Sequence, residues 1–218
     1  MSRKETENFR PQAAKPKNFA QAVAALKCGD VIVFPTETLY GLGADGLNGV
    51  AVERVFALKG RDPEKPIPLL VANRQMLLTV VREIPPKALK LMQEFWPGPL
   101  TLVLPARKDI PKPLISQSGG VGVRISIHPI ATQLVHVLGR PLTATSANPS
   151  GKEPARSLAQ ARHYFRDRVS VYVNGGLLTS RTGSTVVEVK GRSIKMVREG
   201  EIPASEIERI LKTKEHLP

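Results

Sequence analysis

Short apolar runs alternate along this chain with segments in which apolar residues recur at helical spacing. Strands are predicted at 31–34 and 121–128, with helical segments between them. This alternation indicates a sheet with helices packed against it, because each element has to bury its apolar side on another. Strands predicted at 185–189 and 194–198 follow each other closely, which favours antiparallel pairing there. The expected fold class is therefore α/β or α+β.

Capping residues, glycines and prolines delimit the predicted helices. Asn18 is expected to cap the first helix, which ends before Gly29. Ser205 and Glu208 have the capping-box spacing and are expected to begin the closing helix. Further helices are predicted at 74–82, 87–95 and 130–138 and after Ser157.

The charge balance points to anionic partners. The chain has 32 lysines and arginines against 19 acidic residues, a formal net charge of +13, which favours nucleotides or RNA. Aromatic residues are 5% of the chain, which argues against a single-strand binder built on stacking. Residues 1–17 are predicted to be a flexible basic arm, 18–212 a single domain, and 213–218 a tail.

Several functional classes are not favoured. No apolar run approaches the roughly 18 residues of a membrane span, so a cytosolic protein is expected. The four histidines show no metal-ligand spacing, and a metal held by protein side chains is not expected. Cys28 has no cysteine partner and is expected to be a partly buried packing residue. Neither a P-loop nor a G-x-S-x-G elbow occurs.

A G-x-G-x-x-G pattern at 41–46 suggests a dinucleotide site, but its context is wrong. Six residues separate Phe34 from Gly41, whereas the glycine turn of a Rossmann fold follows its strand directly. No acidic residue ends a second strand at the required distance. These glycines are therefore interpreted as turn residues.

Cations and hydroxyls gather at predicted strand and helix ends, beginning with the polar stretch 34–43 after the first strand. ATP carries about four negative charges at neutral pH, so a nucleotide site needs several such donors. The pattern predicts an anion-binding cleft, most simply for a nucleotide. The candidates are Thr36, Thr38, Lys59, Arg61, Lys65, Arg124, Thr145, Ser146, Asn148, Ser184 and Arg198.

Three of these segments together resemble the signature of the YrdC-like family, the threonylcarbamoyl-adenylate synthases. They are Pro35-Thr36-Glu37-Thr38-Leu39-Tyr40-Gly41-Leu42, Lys59-Gly60-Arg61 and Ser146-Ala147-Asn148, the last two matching a K-x-R and a distant S-x-N motif. Segments at 96–101, 121–124, 184–187 and 198–200 resemble the family in the same order. The resemblance implies a twisted, open, mixed parallel and antiparallel sheet with helices packed on it and a large concave basic cavity.

The resemblance also implies a reaction. A nucleotidyltransferase of this family joins L-threonine, bicarbonate or CO2, and ATP into L-threonylcarbamoyladenylate and releases pyrophosphate, with Mg2+ accompanying the ATP. The product serves threonylcarbamoyl modification of the adenosine beside the anticodon of tRNA, which partner proteins carry out. Direct contact with tRNA or other RNA is a further expectation.

Residue roles follow from the resemblance by position. Lys59, Arg61, Ser146 and Asn148 are the implied catalytic residues. The implied threonine-binding residues are Thr38, Arg124, Ser146 and Ser184. The implied ATP-binding residues are Lys59, Arg61, Lys65, Asn148 and Arg198. Lys59 and Arg61 are expected to lie in an exposed loop.

Departures and alternatives remain. Ala72-Asn73 stand where some relatives have a histidine, and the chain resembles the short, single-domain form of the family. The group that deprotonates the threonine ammonium is not identified, and Glu37 is a weak candidate. An RNA-binding module without catalysis, or a paralogue acting on another small acceptor, would carry many of the same residues. Oligomeric state stays open.

Overall fold

The computed structural model describes residues 17–213. Its strands are β1 (Ile32–Pro35), β2 (Tyr40–Gly43), β3 (Leu69–Leu70), β4 (Leu100–Pro105), β5 (Gly120–Arg124), β6 (Leu142–Thr143), β7 (Thr145–Ser146), β8 (Val171–Tyr172), β9 (Thr185–Lys190) and β10 (Ser193–Arg198). Its helices are α1 (Phe19–Lys27), α2 (Gly49–Lys59), α3 (Arg74–Leu77), α4 (Pro86–Phe95), α5 (Pro129–Leu138), α6 (Leu158–Phe165) and α7 (Ala204–Lys212). Single 3-10 turns lie at Lys112–Leu114 and Arg166–Arg168.

The strands form two sheets of mixed direction. In the four-stranded sheet, of order β7-β2-β1-β8, β1 is antiparallel to β2 and parallel to β8. The six-stranded sheet, of order β10-β9-β4-β5-β3-β6, combines the parallel pairs β4–β9 and β3–β5 with antiparallel ones. The mixed α/β class predicted from the sequence is confirmed, and β9 and β10 pair antiparallel as expected. The strands are divided between two sheets, where one was predicted.

Strand β1 is buried on both faces because it lies between two apolar cores. Ile32 and Phe34 point into the core made with α1 and α5. Val31 and Val33 point the other way, into the larger core that includes the apolar face of α2. Burial of each such side chain stabilises the fold by about 1.5–3 kcal/mol. The hairpin that follows β1 therefore starts from a rigid position.

Backbone bonds from the end of β2 join the two sheets. Ala44 donates its N–H to the hydroxyl of Thr143 at 2.8 Å, and its carbonyl accepts from the Thr143 N–H at 2.9 Å. Gly46 donates to the carbonyl of Pro141 at 2.8 Å. Since Thr143 lies in β6 of the six-stranded sheet, these bonds hold the end of β2 in a fixed position against that sheet.

Gly41 and Gly43 are strand residues, so their interpretation as turn residues is wrong. Both lie in β2, where Gly41 pairs with Phe34 of β1 and Gly43 pairs with Ile32. A Cβ on Gly43 would come within 2.7 Å of the Phe34 ring, and one on Gly41 within 3.2 Å. Glycine is required there because the aromatic ring covers the backbone of the neighbouring strand.

Four local predictions are corrected. The segment 74–82 is helical only as far as Leu77, because turns and a bridge follow. The strand predicted at 121–128 ends at Arg124. Asn18 makes no cap bond and instead donates to the Tyr172 carbonyl. Helix α7 begins at Ala204, whose N–H is bonded by Glu199 rather than by a capping box.

Of two further local predictions, one is confirmed and one is wrong. Ser157 caps α6 by accepting from the Gln160 N–H at 3.2 Å, as expected. Cys28 is exposed and not partly buried. The predicted arm and tail lie outside the described residues, apart from Lys17 and Thr213.

Two further properties of the fold bear on function. Within residues 17–213, no helix combines the length and apolar character needed to cross a membrane. Across the same range, no three histidine, cysteine, aspartate or glutamate side chains come together as a set that could hold a metal ion.

Candidate active site

The turn between β1 and β2 is closed by Thr36. Its hydroxyl donates to the Leu39 carbonyl at 2.7 Å and accepts from the backbone N–H groups of Thr38 and Leu39, each at 3.2 Å. The Thr38 hydroxyl lies 3.1 Å from that of Thr36, and both residues are buried. Thr36 is thus committed to the turn, and Thr38 has a hydroxyl placed beside it.

Lys59 ends α2 with its side chain directed inward. Gly60 terminates the helix in the left-handed conformation, at φ 56°, which turns the chain toward Arg61. The Lys59 ammonium donates to the carbonyl oxygens of Ser146 and, at 2.7 Å, of Asn148. Lys59 is 3% exposed, so its predicted place in an exposed loop is wrong, and Arg61 beside it is partly buried.

The S-x-N segment is held in place by the backbone of its neighbours. Ala147 donates to the carbonyl of Tyr40 at 2.7 Å, and Ser150 donates to the carbonyl of Lys59 at 2.7 Å. The Asn148 amide donates to the carbonyls of Pro149 and Lys152, at 2.9 and 2.7 Å. These bonds form a tight turn whose carbonyl oxygens face the Lys59 ammonium.

Arg124 and Glu37 form an ion pair between the β1–β2 turn and the end of β5. Arg124 Nη1 lies 2.5 Å from Glu37 Oε1, and the hydroxyl of Ser126 donates to Glu37 Oε2. The Arg124 side chain is 6% exposed and that of Glu37 13%. The alternation of the sequence places Arg124 away from the apolar side of its strand. The tertiary structure buries it there against Glu37.

Arg198 is brought to Ser184 by an irregularity in the β9–β10 hairpin. The register shifts between Met196 and Arg198, as at a bulge, which redirects the side chain. Arg198 Nη2 donates to the Ser184 carbonyl at 2.7 Å and to its hydroxyl at 3.3 Å. The Ser184 hydroxyl also lies 2.8 Å from that of Thr101 in β4.

Charge interactions link these cations into one row. Burial, together with the positive charge of Arg61, lowers the pKa of Lys59 to about 7. Burial also lowers the pKa of Arg61, with a contribution from Arg198, and the pKa of Arg198, with a contribution from Arg124. Burial lowers the pKa of Arg124, which Glu37 opposes. Four cations that repel one another create a strong attraction for a polyanion.

The structure therefore brings together most of the predicted site residues. The K-x-R and S-x-N segments are bonded directly, and Arg124 and Arg198 continue the row. The Lys65 side chain is exposed, and Lys65 contributes its backbone carbonyl, which accepts from Arg61 Nε at 2.6 Å. Asn73, which stands where some relatives have a histidine, caps α3 through the Met76 N–H at 2.8 Å.

Three further residues of the site were not chosen from the sequence. Thr101 contacts Ser184, Ser126 holds Glu37, and the Tyr40 hydroxyl bonds Gly175 N–H at 3.0 Å and the Gly176 carbonyl at 2.7 Å. Ser126 shares the face of Arg124 in the alternating run 121–128, so the sequence pattern could have indicated it as a site residue. The other two depend on contacts between distant segments.

Residues 24–200 match the model of the Sua5–YciO–YrdC family, described as "Telomere recombination". This match covers well over half of the chain. The chain belongs to the Sua5–YciO–YrdC family. The threonylcarbamoyl-AMP synthase of Halorhodospira halophila is 38% identical over 167 residues, 77% of this chain and 87% of that protein. That of Pyrococcus abyssi is 36% identical over 190 residues, 87% of this chain but 56% of that longer protein.

Solved structures of the Sua5–YciO–YrdC family have the same fold. P. abyssi Sua5 in complex with L-threonine superposes with a TM-score of 0.85 at 36% identity, over 89% of this chain and 57% of that one. E. coli YciO gives a TM-score of 0.81 at 27% identity, over 90% of this chain and 96% of that one. This chain therefore spans little more than half of the P. abyssi protein.

Proposed function

We propose that this chain is an L-threonylcarbamoyladenylate synthase, which uses L-threonine, bicarbonate or CO2, and ATP. The observation that carries the proposal is the direct bonding of Lys59 to Ser146 and Asn148 at one end of a row of cations. A site that holds a triphosphate and an amino-acid carboxylate together needs such a concentration of positive charge. Relatives that bear the name of this activity support the assignment.

The phosphate end of the site is assigned to Lys59, Arg61 and Arg198. Each adds positive charge where the triphosphate would lie, and the exposed Lys65 is proposed to add to them. Mg2+ is proposed to enter with ATP, held by the phosphate oxygens. Charge neutralisation and in-line positioning supply most of the catalysis in reactions at phosphorus, so no protein nucleophile is required.

The chemical sequence follows from the substrates. The threonine amine combines with bicarbonate to form a carbamate and water, and a carbamate oxygen attacks the α-phosphorus of ATP. The bond to the β-phosphate oxygen breaks, and pyrophosphate leaves. Asn148 is assigned to the α-phosphate, and Thr38, Arg124, Ser146 and Ser184 to threonine. No residue is assigned as the base that deprotonates the threonine ammonium.

The experiment that tests this function is release of pyrophosphate by the purified protein. Release is expected only when ATP, threonine and bicarbonate are all present, and omission of any one should reduce it to background. Release that is independent of threonine would contradict the proposal. Replacement of threonine by other amino acids separates this activity from that of a paralogue acting on another acceptor.

RNA contact is a second candidate function, favoured by the net charge of +13. A groove of about 550 Å3 beside α2, bordered by Arg54 and Arg168, lies apart from the site residues. Binding of tRNA with a steep salt dependence, weakened by Arg168→Ala, would support direct contact. Supply of product to tRNA-modifying partner proteins and a cytoplasmic location remain predictions.

A further inference from the structure

The ion pair between Glu37 and Arg124 has a built environment that the reaction outlined above does not use. Glu37 Oε1 accepts from Arg124 Nη1, and Oε2 accepts from the Ser126 hydroxyl. The Ser126 oxygen in turn accepts from the His128 N–H at 3.1 Å, so this hydroxyl is already committed. The carboxylate is therefore fixed in position by groups that do not leave it.

The Arg124 guanidinium has donors to spare. An arginine side chain carries five N–H groups in a planar fork. Among residues 17–213, the acceptor bonded to this guanidinium is Glu37, and the bond uses Nη1. The remaining N–H groups can hold a second carboxylate, and a bidentate pair is the strong geometry for it.

Because an α-amino acid carries its ammonium on the carbon next to its carboxylate, both charges fall within reach of one arginine–glutamate pair. We propose that Arg124 and Glu37 together form a subsite for a zwitterion, in which Arg124 binds the carboxylate and Glu37 binds the ammonium. The inference rests on the proposed function and adds a substrate-binding residue to it. Paired charges in a buried site interact much more strongly than in water.

The surrounding charge makes Glu37 the source of selectivity. Burial lowers the pKa of Arg198, and the nearby charge of Arg124 contributes to this shift. Without Glu37, this pair of cations would attract any carboxylate. With Glu37 present, a simple carboxylate is repelled by a fixed negative charge and has no positive charge of its own to pair with it. A zwitterion offers the opposite charge at that point. The pair thus selects amino acids over the same acids without the amino group.

A purely structural role for Glu37 makes a different prediction. If the carboxylate served only as counter-ion to buried Arg124, its removal would lower the stability of the fold and weaken the binding of every ligand by the same factor. A binding role changes the ratio between two ligands that differ only in the ammonium. L-threonine and (R)-3-hydroxybutyrate are such a pair, since the second lacks only the amino group.

The test is calorimetric binding of both ligands to the wild-type chain and to Glu37→Gln. The ratio of the 3-hydroxybutyrate Kd to the threonine Kd is expected to fall by about tenfold or more in Glu37→Gln. Asp45→Asn is the matched control, because buried Asp45 pairs at 2.5 Å with the half-exposed side chain of Arg140 in another part of the fold. It should leave the ratio at the wild-type value. An unchanged ratio in Glu37→Gln overturns the proposal.

Ligands alone provide a second test should Glu37→Gln fail to fold. Wild-type protein should bind threonine about tenfold or more tightly than either 3-hydroxybutyrate or threoninamide, which lacks the carboxylate charge. Equal binding of threonine and 3-hydroxybutyrate overturns the subsite. Pyrophosphate release separates the two proposals. Selective binding of threonine without pyrophosphate release would support the subsite and contradict the synthase activity. Release without selective binding would support the synthase activity and contradict the subsite.

Discussion

The ammonium of Lys59 lies 2.7 Å from the backbone carbonyl oxygen of Asn148, 89 positions further along the chain. The reverse connection is also present, since the Lys59 carbonyl accepts from Ser150 N–H. The two short motifs of the family are therefore one structural unit. A change in either segment is expected to disturb the other.

Binding of ATP is predicted to be coupled to protonation of Lys59. The pKa of Lys59 is lowered to about 7, so at pH 8 the free protein holds this amine mostly neutral. Phosphate favours the charged form, and binding should take up close to one proton at pH 8 and about a tenth of one at pH 6. Calorimetry in buffers of different ionisation enthalpy measures the uptake.

Lys59→Met is the control for that measurement. It removes the titrating amine, so the difference from wild type isolates the lysine from protons that the nucleotide itself exchanges. Equal uptake in the two proteins at pH 8 would show that Lys59 does not titrate on binding.

Arg198→Ala is predicted to weaken ATP binding by about 10–100-fold, because one of the cations assigned to the phosphates is lost. Arg192→Ala is the matched control, since Arg192 is exposed just before β10 and its backbone carbonyl, which the substitution keeps, accepts from Lys87. The KM for ATP is the readout. Equal effects of the two changes would remove Arg198 from the nucleotide site.

Thr185→Val is predicted to lower the free energy of unfolding by about 2–4 kcal/mol. The buried hydroxyl accepts from the N–H groups of Gly200 and Ile202, at 3.0 and 2.9 Å, and donates to the Ile202 carbonyl at 2.6 Å. Valine fills the same volume but satisfies none of these groups. Chemical denaturation measures the loss, and Thr185→Ser, which keeps the hydroxyl, should lose much less.

Gly43→Ala is predicted to destabilise the fold by about 1–3 kcal/mol, because its Cβ would overlap the Phe34 ring. Gly49→Ala is the matched control at the start of α2, where nothing lies within 4 Å of an added Cβ. Alanine there should stabilise the helix by about 0.5–1 kcal/mol. Thermal unfolding of both variants checks the pair, and a destabilised Gly49→Ala would contradict the reasoning.

Contacts between distant segments explain where sequence reasoning was wrong. Gly41 and Gly43 looked like turn residues because a glycine pattern does not show that the Phe34 ring covers the backbone at these positions. Lys59 looked exposed because a lysine after an amphipathic helix is usually in solvent. Its burial depends on carbonyl groups of Ser146 and Asn148, which no local pattern around Lys59 indicates.

The sequence by itself determined the mixed α/β class, the strand that precedes the polar turn, and the set of cations and hydroxyls at element ends. These follow from local periodicity and from residue chemistry, which need no partner. Only the tertiary structure decided that Glu37 faces Arg124, that Thr101 contacts Ser184, and that the strands divide into two sheets. Those relations join residues far apart in the chain, and they exist only once both apolar cores have packed around β1.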